Sequence, residues 1–209
     1  METIILINNE IVGRLIKMLF FDISPDSEFE KIEKVPGPTK EEIRALVISK
    51  TRLTDEDVVV DIGCGTGGLT VEFAKRAKKV ISIYENPDAV KITRKNLENF
   101  GLENKVELIE EEGLKALDNV DDFTKLMIGG SGGNLQSIIE EGYIKLPVGG
   151  RIVITSILLE TATESVETLK ALGASPEVVN VNISRGEVLD RGVMMRALNP
   201  ITIISARKD

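Results

Sequence analysis

From Thr39 onward, short continuous apolar runs alternate with segments whose apolar residues recur every three or four positions. This is the pattern of a sheet covered by helices on both faces. Thr39 and Glu42 have capping-box spacing and open a helix whose Ile43, Leu46 and Val47 share one face. Val58, Val59, Val60 and Ile62 form the first strand, and a glycine-rich turn leads into a helix with Leu69, Phe73 and Ala74 inward. Val80 to Tyr84 is the second strand. Asn86 caps the next helix, Pro87 sits in its first turn and Gly101 ends it. Val106 to Ile109 and Leu126 to Ile128 are the third and fourth strands. Asn134 caps a short helix carrying Leu135, Ile138 and Ile139. Gly149-Gly150 turns into a fifth strand, Ile152 to Ile154, and a helix with Val166, Leu169 and Leu172 stops at Gly173. The ending breaks the alternation. Val178 to Ile183 and Ile201 to Ile204 both read as strands, and the 17 residues between them, without a helical face, read as a long loop. In a doubly wound sheet of this kind ligands bind beyond the carboxyl ends of the strands, where the strand order reverses.

A chain of 209 residues suits one domain. Residues Ile4 to Ile23 are largely apolar, but Glu10, Arg14 and Lys17 interrupt them. Charges at mid-depth disfavour a membrane span, and the order of charge and apolar run is wrong for a secretory signal. The stretch reads as packing structure of a cytoplasmic protein. With 26 Lys and Arg against 34 Asp and Glu, the net charge of -8 argues against a nucleic-acid binder. There is no histidine, and Cys64 is the one cysteine. Histidine-based nucleophile chemistry, a cysteine or histidine metal site and an internal disulfide are therefore excluded.

Four motifs fall at the expected edge. Asp61-Ile62-Gly63-Cys64-Gly65-Thr66-Gly67-Gly68 ends the first strand and begins a helix. Its glycines let a ligand approach free backbone amides. Gly63, Gly65 and Gly68 satisfy the dinucleotide pattern, and Glu85 follows 20 residues after Gly65, so a nicotinamide cofactor competes on spacing. Asp61, which would repel a pyrophosphate but suit an ammonium group, and the paired C-terminal strands tilt the choice away from it. The second motif is Gly129-Gly130-Ser131-Gly132-Gly133, whose backbone can come close to something bulky. The third is Val35-Pro36-Gly37-Pro38-Thr39. The fourth runs from Arg185 to Arg196, where Arg185, Arg191 and Arg196 could clamp carboxylates through planar forks or form a subunit interface.

These motifs, together with Thr155-Ser156-Ile157-Leu158-Leu159-Glu160-Thr161, resemble the cobalt-precorrin C15-methyltransferases (decarboxylating) of cobalamin biosynthesis, within the class I S-adenosylmethionine-dependent methyltransferases. The likeness covers about Glu28 to the C-terminus. It implies an α/β Rossmann-like fold: a seven-stranded, mostly parallel sheet with helices on both faces and an antiparallel C-terminal strand. Residues 28–209 would be a single methyltransferase domain, and residues 1–27 an extension packing on it. The expected chemistry is methylation of C15 of a cobalt-precorrin with loss of the C12 acetate carboxyl as CO2, from S-adenosylmethionine to S-adenosylhomocysteine. Thr39, Asp61, Gly63, Cys64, Gly65, Thr66, Gly67, Glu85, Glu112 and Gly113 are the expected cofactor-binding residues. Glu85 matches the acid on the ribose, and Glu112 or Gly113 the adenine site, although Glu110 to Glu112 also suit a solvated turn. Gly130, Ser131, Gly132, Arg185, Arg191 and Arg196 would bind the tetrapyrrole, with Ser131 and Glu160 candidates near the reacting carbon. Cys64 lacks an activating partner and is structural. The likeness also implies homotetramers, no metal, nucleic-acid or membrane partner, and leaves room for contact with neighbouring enzymes of the corrin pathway. Two alternatives stand: methyl transfer to another acceptor, a tRNA base or a protein carboxylate, and a non-catalytic nucleotide-binding module.

Overall fold

The computed structural model describes residues 23–209, so all but the last residue of the apolar stretch Ile4 to Ile23, and most of the expected extension 1–27, lie outside the described residues. The chain runs α1 (Glu41–Thr51), β1 (Val58–Ile62), α2 (Gly68–Arg76), β2 (Lys79–Ile83), α3 (Pro87–Asn99), β3 (Val106–Ile109), α4 (Gly113–Asp118) and β4 (Lys125–Ile128). It continues through α5 (Leu135–Lys145), β5 (Arg151–Ser156), α6 (Leu159–Ala171), β6 (Glu177–Val181), β7 (Ser184–Leu189), β8 (Gly192–Ala197) and β9 (Ile201–Arg207). Seven strands form one sheet in the order β3-β2-β1-β4-β5-β9-β6, with β9 antiparallel to both neighbours and the pairs from β3 to β5 parallel.

The continuous apolar runs follow from burial of both sheet faces. Val60, Ile62, Leu126, Ile128, Ile152 and Ile154 pack with Ile138, Ile139 and Leu169 of α5 and α6. Val59, Met127, Val153 and Ile203 point the other way, onto Ile43 and Val47 of α1 and Leu69 and Phe73 of α2. Strand order reverses between β1 and β4, so the loops after these two strands diverge from one point on the carboxyl edge.

Several local expectations are corrected. Thr39 is not a cap: Lys40 takes the N-cap position of α1 without a side-chain bond. The Thr39 carbonyl instead accepts from the buried Arg44, and Glu42 turns to Arg185. Asn134 does stand at the N-cap of α5, but makes no capping bond and donates to Glu112. Glu112 is more than part of a solvated turn. It caps the six-residue α4, accepting from the Leu114 and Lys115 amides, a helix the sequence pattern did not announce. The supposed loop after β6 is a two-stranded hairpin, β7 with β8, closed by Asp190-Arg191. Both of its faces are largely open to solvent, so it lacks the apolar alternation that marks a half-buried strand. Because β6 runs parallel to β5, the hairpin rises from the same carboxyl edge as the β1 and β4 loops.

A charged cluster lies under the α1 and α2 layer. Arg44 is fully buried, 2.8 Å from Asp26 and 3.7 Å from Glu72, and donates to the Ser24 and Thr39 carbonyls. Glu72, also fully buried, accepts from the Ser24 amide at 2.9 Å and from Arg76 at 2.7 Å. Removing one partner of such a cluster strands the others' charge in a low dielectric. Arg44→Ala is therefore expected to lower the unfolding free energy by about 3–5 kcal/mol in urea titrations. A loss below about 1 kcal/mol would show that the cluster relaxes to solvent.

Candidate active site

The loops after β1 and β4 meet back to back. Gly63 has φ +81°, and a Cβ there would lie 2.4 Å from the Gly130 nitrogen. Only glycine fits that conformation and that approach. The Gly63 amide donates to the Ile83 carbonyl at 3.0 Å and the Gly129 amide to the Ile62 carbonyl at 2.8 Å, so sheet bonds carry both loops to their meeting point.

Two cavities flank it and share walls at Gly63, Tyr84 and Gly130. They adjoin along the carboxyl edge, two hollows with a common wall, and together are the candidate groove. One end is lined by Glu85, Glu112, Gly113, Ser131 and Gly132. The other is lined by Pro36, Gly37, Thr39, Asp61, Cys64, Gly65 and Thr155. The groove thus brings together most of the expected cofactor residues and all three expected glycine-loop residues. Thr66 and Gly67 lie behind it: Thr66 is 1% exposed and Gly67, at φ +82°, is the N-cap of α2.

Two residues on one face of α3 shape the loop from behind. Thr93 donates to the Gly65 carbonyl at 3.0 Å, and Asn96 to the Thr66 carbonyl at 2.8 Å. Both are fully buried. A Cβ on Gly67 would meet the Thr93 methyl at 2.8 Å, so these positions are matched. Sequence reasoning missed Thr93 and Asn96. Their signal was polar residues three apart on a helix face that also carries Ala89 and Ile92. It also missed Tyr84, read only as a strand end, which lines both halves of the groove.

The electrostatics differ between the ends. Asp61 is 1% exposed, and among the described residues its one side-chain donor is the Thr70 hydroxyl at 2.6 Å. Burial outweighs that bond and pushes its carboxyl up to about 6. Burial and the neighbouring Asp61 push the Cys64 thiol up to about 12, which leaves it protonated and a poor nucleophile. Glu112 is held below the usual carboxylate range by Asn134 and by the α4 amides. With Asn134 Nδ2 at 3.0 Å on one oxygen, Glu112 ties α4 to the end of the Gly129–Gly133 loop.

The remaining expected site residues lie outside the groove walls. Glu160 is exposed in the first turn of α6. Arg185 and Arg196 are paired across the hairpin, and Arg191 is at its tip. Arg185 is engaged by Glu42 and Asp26, and Arg196 by Glu187 at 2.6 Å. Their forks already face the protein's own carboxylates. Beyond Thr155, Ile157, Leu158 and Leu159 form an apolar ledge 57–76% exposed. The Ser156 hydroxyl fixes it, accepting from the Leu158 amide and donating to the Leu158 carbonyl.

Residues 34–208 match the model of the precorrin methyltransferase domain family. A protein of Methanobrevibacter smithii named a probable cobalt-precorrin-6B C(15)-methyltransferase (decarboxylating) is 53% identical over 183 residues, which span 88% of this chain and 98% of that one. The crystal structure of a precorrin 8W decarboxylase of Methanobacterium thermoautotrophicum superimposes with a TM-score of 0.86 at 44% identity, covering 88% of this chain and 98% of that one. A precorrin-6Y C5,15-methyltransferase of Geobacter metallireducens gives 0.82 at 34% identity, covering 88% and 97%.

Burying Asp61 costs stability at neutral pH, because its folded value of about 6 lies above its ordinary 3.8. That penalty is full above pH 6, fades between 6 and 3.8, and is absent below. Asp61→Asn should therefore raise the unfolding free energy at pH 7.5 by roughly 1–3 kcal/mol. Chemical denaturation repeated at pH 4 should show the gain gone, and a gain independent of pH would place its origin elsewhere.

Proposed function

The chain belongs to the precorrin methyltransferase family, and from that premise we propose that it transfers a methyl group from S-adenosylmethionine to C15 of cobalt-precorrin-6B while the C12 acetate loses CO2. The observation that carries the cofactor assignment is the pair of adjoining cavities, with a buried carboxylate in one, two acids in the other and glycine backbone in the wall they share. A zwitterionic amino-acid tail linked to a nucleoside matches that order. Asp61 suits the ammonium, Gly63 and Gly65 the close approach of the chain, Glu85 the ribose hydroxyls, and Gly113 with Glu112 the adenine. Glu112 already accepts three bonds, so its part is to set the shape of the adenine wall as much as to contact the base.

When bound, S-adenosylmethionine supplies a methyl group on a sulfonium, whose carbon–sulfur bond breaks as a carbon nucleophile takes the methyl. The protein's share is alignment and exclusion of water, and well-oriented reactants account for about 7–11 kcal/mol of a barrier. The electron pair released when the acetate carboxyl leaves as CO2 enters the conjugated macrocycle and supplies the pair with which C15 takes the methyl. The former acetate methylene then gains a proton and C15 loses one, so no net proton is consumed. Gly130, Ser131 and Gly132 present backbone and one hydroxyl to the acceptor beside the methyl site. The Ile157–Leu159 ledge adds an apolar seat on the same edge, suited to the flat face of a macrocycle.

The proposed assembly is a homotetramer. Val188, Val193 and Met195 of the hairpin are 61–83% exposed, and such open apolar side chains on a ribbon without a buried face suit contact between copies. Residues 28–209 would then form the single catalytic domain.

Cobalt-precorrin-6B incubated with methyl-labelled S-adenosylmethionine should gain one labelled methyl and lose one CO2 by mass spectrometry. Label gained with CO2 retained would assign decarboxylation to another protein. No gain despite cofactor binding would point to another acceptor. Within the groove, Glu85→Ala should weaken S-adenosylhomocysteine binding about tenfold, near 1.4 kcal/mol, by calorimetry. An unchanged Kd would remove Glu85 from the ribose.

A further inference from the structure

The hairpin arginine Arg185 does not line the groove, yet it is joined to the groove's wall by an unbroken series of ion pairs that ends in a hydrogen bond to the Thr39 carbonyl. Its Nε and one terminal nitrogen donate to the two oxygens of Glu42 in the first turn of α1, the Nε bond being 3.0 Å and the other 2.6 Å. Its second terminal nitrogen stands 2.9 Å from Asp26. The other oxygen of Asp26 accepts from Arg44 at 2.8 Å, and that same Arg44 nitrogen donates to the Thr39 carbonyl. Thr39, Pro36 and Gly37 are the wall of the groove at its Asp61 end.

The series is stiff where it matters. Arg44 is fully buried, its guanidinium 4.7 Å from the centre of the Phe29 ring and fixed by the Ser24 carbonyl as well. Its position is therefore set by its partners and not by solvent. Arg185 is the exposed end of the series, with a side chain 37% accessible. The paired guanidinium and the two acids hold one another charged: Asp26 and Glu42 both lie below the usual carboxylate range. With its fork filled by two carboxylates of its own chain, Arg185 has little left for a third from a substrate.

We propose that Arg185 is a positioning residue for the cofactor: it pins α1 and Asp26, and through Arg44 and the Thr39 carbonyl holds the Pro36–Thr39 wall closed on the amino-acid end of the groove. This rests on the groove being the S-adenosylmethionine site. It also makes the hairpin a lever on that site, since whatever moves β7 acts on the wall through one side chain.

The test compares the intact protein with Arg185→Ala, Arg185→Lys and Glu42→Gln, measuring S-adenosylhomocysteine Kd by calorimetry, KM for cobalt-precorrin-6B, and thermal unfolding. Arg185→Ala should raise the Kd about tenfold with the corrinoid KM at saturating cofactor unchanged. Arg185→Lys, a point charge without the planar fork, should recover part of that loss. Glu42→Gln cuts the same pair from the helix side and should give a smaller rise, because Asp26 remains. An unchanged Kd in Arg185→Ala overturns the proposal, whether or not the corrinoid KM rises. A rise confined to the corrinoid KM would make Arg185 a substrate clamp. Equal rises in both constants, or a Kd rise that Glu42→Gln does not share, also overturn it. Absence of S-adenosylhomocysteine binding by the unmodified protein would instead sink the cofactor assignment itself.

Discussion

Everything at the carboxyl edge depends on how closely two backbones approach between β1 and β4. Gly63 and Gly130 leave no room for a side chain: a Cβ on the first would sit 2.4 Å from the second's nitrogen, well inside van der Waals contact distance. Parallel pairing of β1 with β4 fixes this meeting, since the strands end side by side at Ile62 and Ile128. The groove's floor is therefore backbone. A ligand lying there meets amides and carbonyls whose places are set by the sheet, which costs little reorganisation when it binds. Thr93 and Asn96 extend the same logic from α3, tying down carbonyls of the glycine loop that would otherwise be free to turn.

Around this floor the protein buries charge in two different ways. Arg44, Asp26 and Glu72 are buried as partners, and the desolvation of each is offset by the others. Asp61 is buried without a cation among the described residues, with one hydroxyl for company, and its raised pKa records the imbalance. Under the proposed cofactor assignment, the missing partner arrives from outside as the ligand's ammonium. A ligand ammonium beside Asp61 would restore its ordinary acidity, so binding and deprotonation at that end are linked.

The sequence made the sheet legible because parallel strands buried on both faces are continuous apolar runs, and five of them stood out between glycine and proline punctuation. The glycine motifs were legible for a related reason: four glycines in eight residues at a strand end have few structural uses besides a close approach. What stayed hidden has a common cause. The β7–β8 hairpin has no buried face and so no period-two pattern. The helix α4 is six residues long and opens on glutamate, a residue seldom expected at a cap. The roles of Glu42, Thr39 and Asn134 were misassigned because local spacing suggests local bonds. The actual partners of Glu42 and Asn134, Arg185 and Glu112, are supplied by the fold from 143 and 22 residues away, and Thr39 offers its carbonyl, not its hydroxyl, to Arg44. Arg185 is the plainest case: three arginines in a short acidic-protein segment suggest a clamp for an external anion until Glu42 and Asp26 are seen to fill one of them.

That self-pairing bears on how an acidic chain could hold a substrate fringed with carboxylates. Long-range attraction is absent at a net charge of -8, and two of the three hairpin arginines are neutralised internally. Recognition then has to come from short-range contacts that do not need a surplus of positive charge. Backbone amides of the Gly130–Gly133 loop can bind carboxylate oxygens directly, and the exposed Ile157–Leu159 ledge can cover an apolar ring face next to Thr155. The first gives orientation, and the second gives area, at about 25 cal/mol per Å2 of apolar surface covered. Both features sit on the edge where, under the proposed function, the methyl group would be presented, so contacts that bind the macrocycle there would also fix which of its carbons faces the groove. Under the proposed function, regioselectivity would come from the shape of that edge.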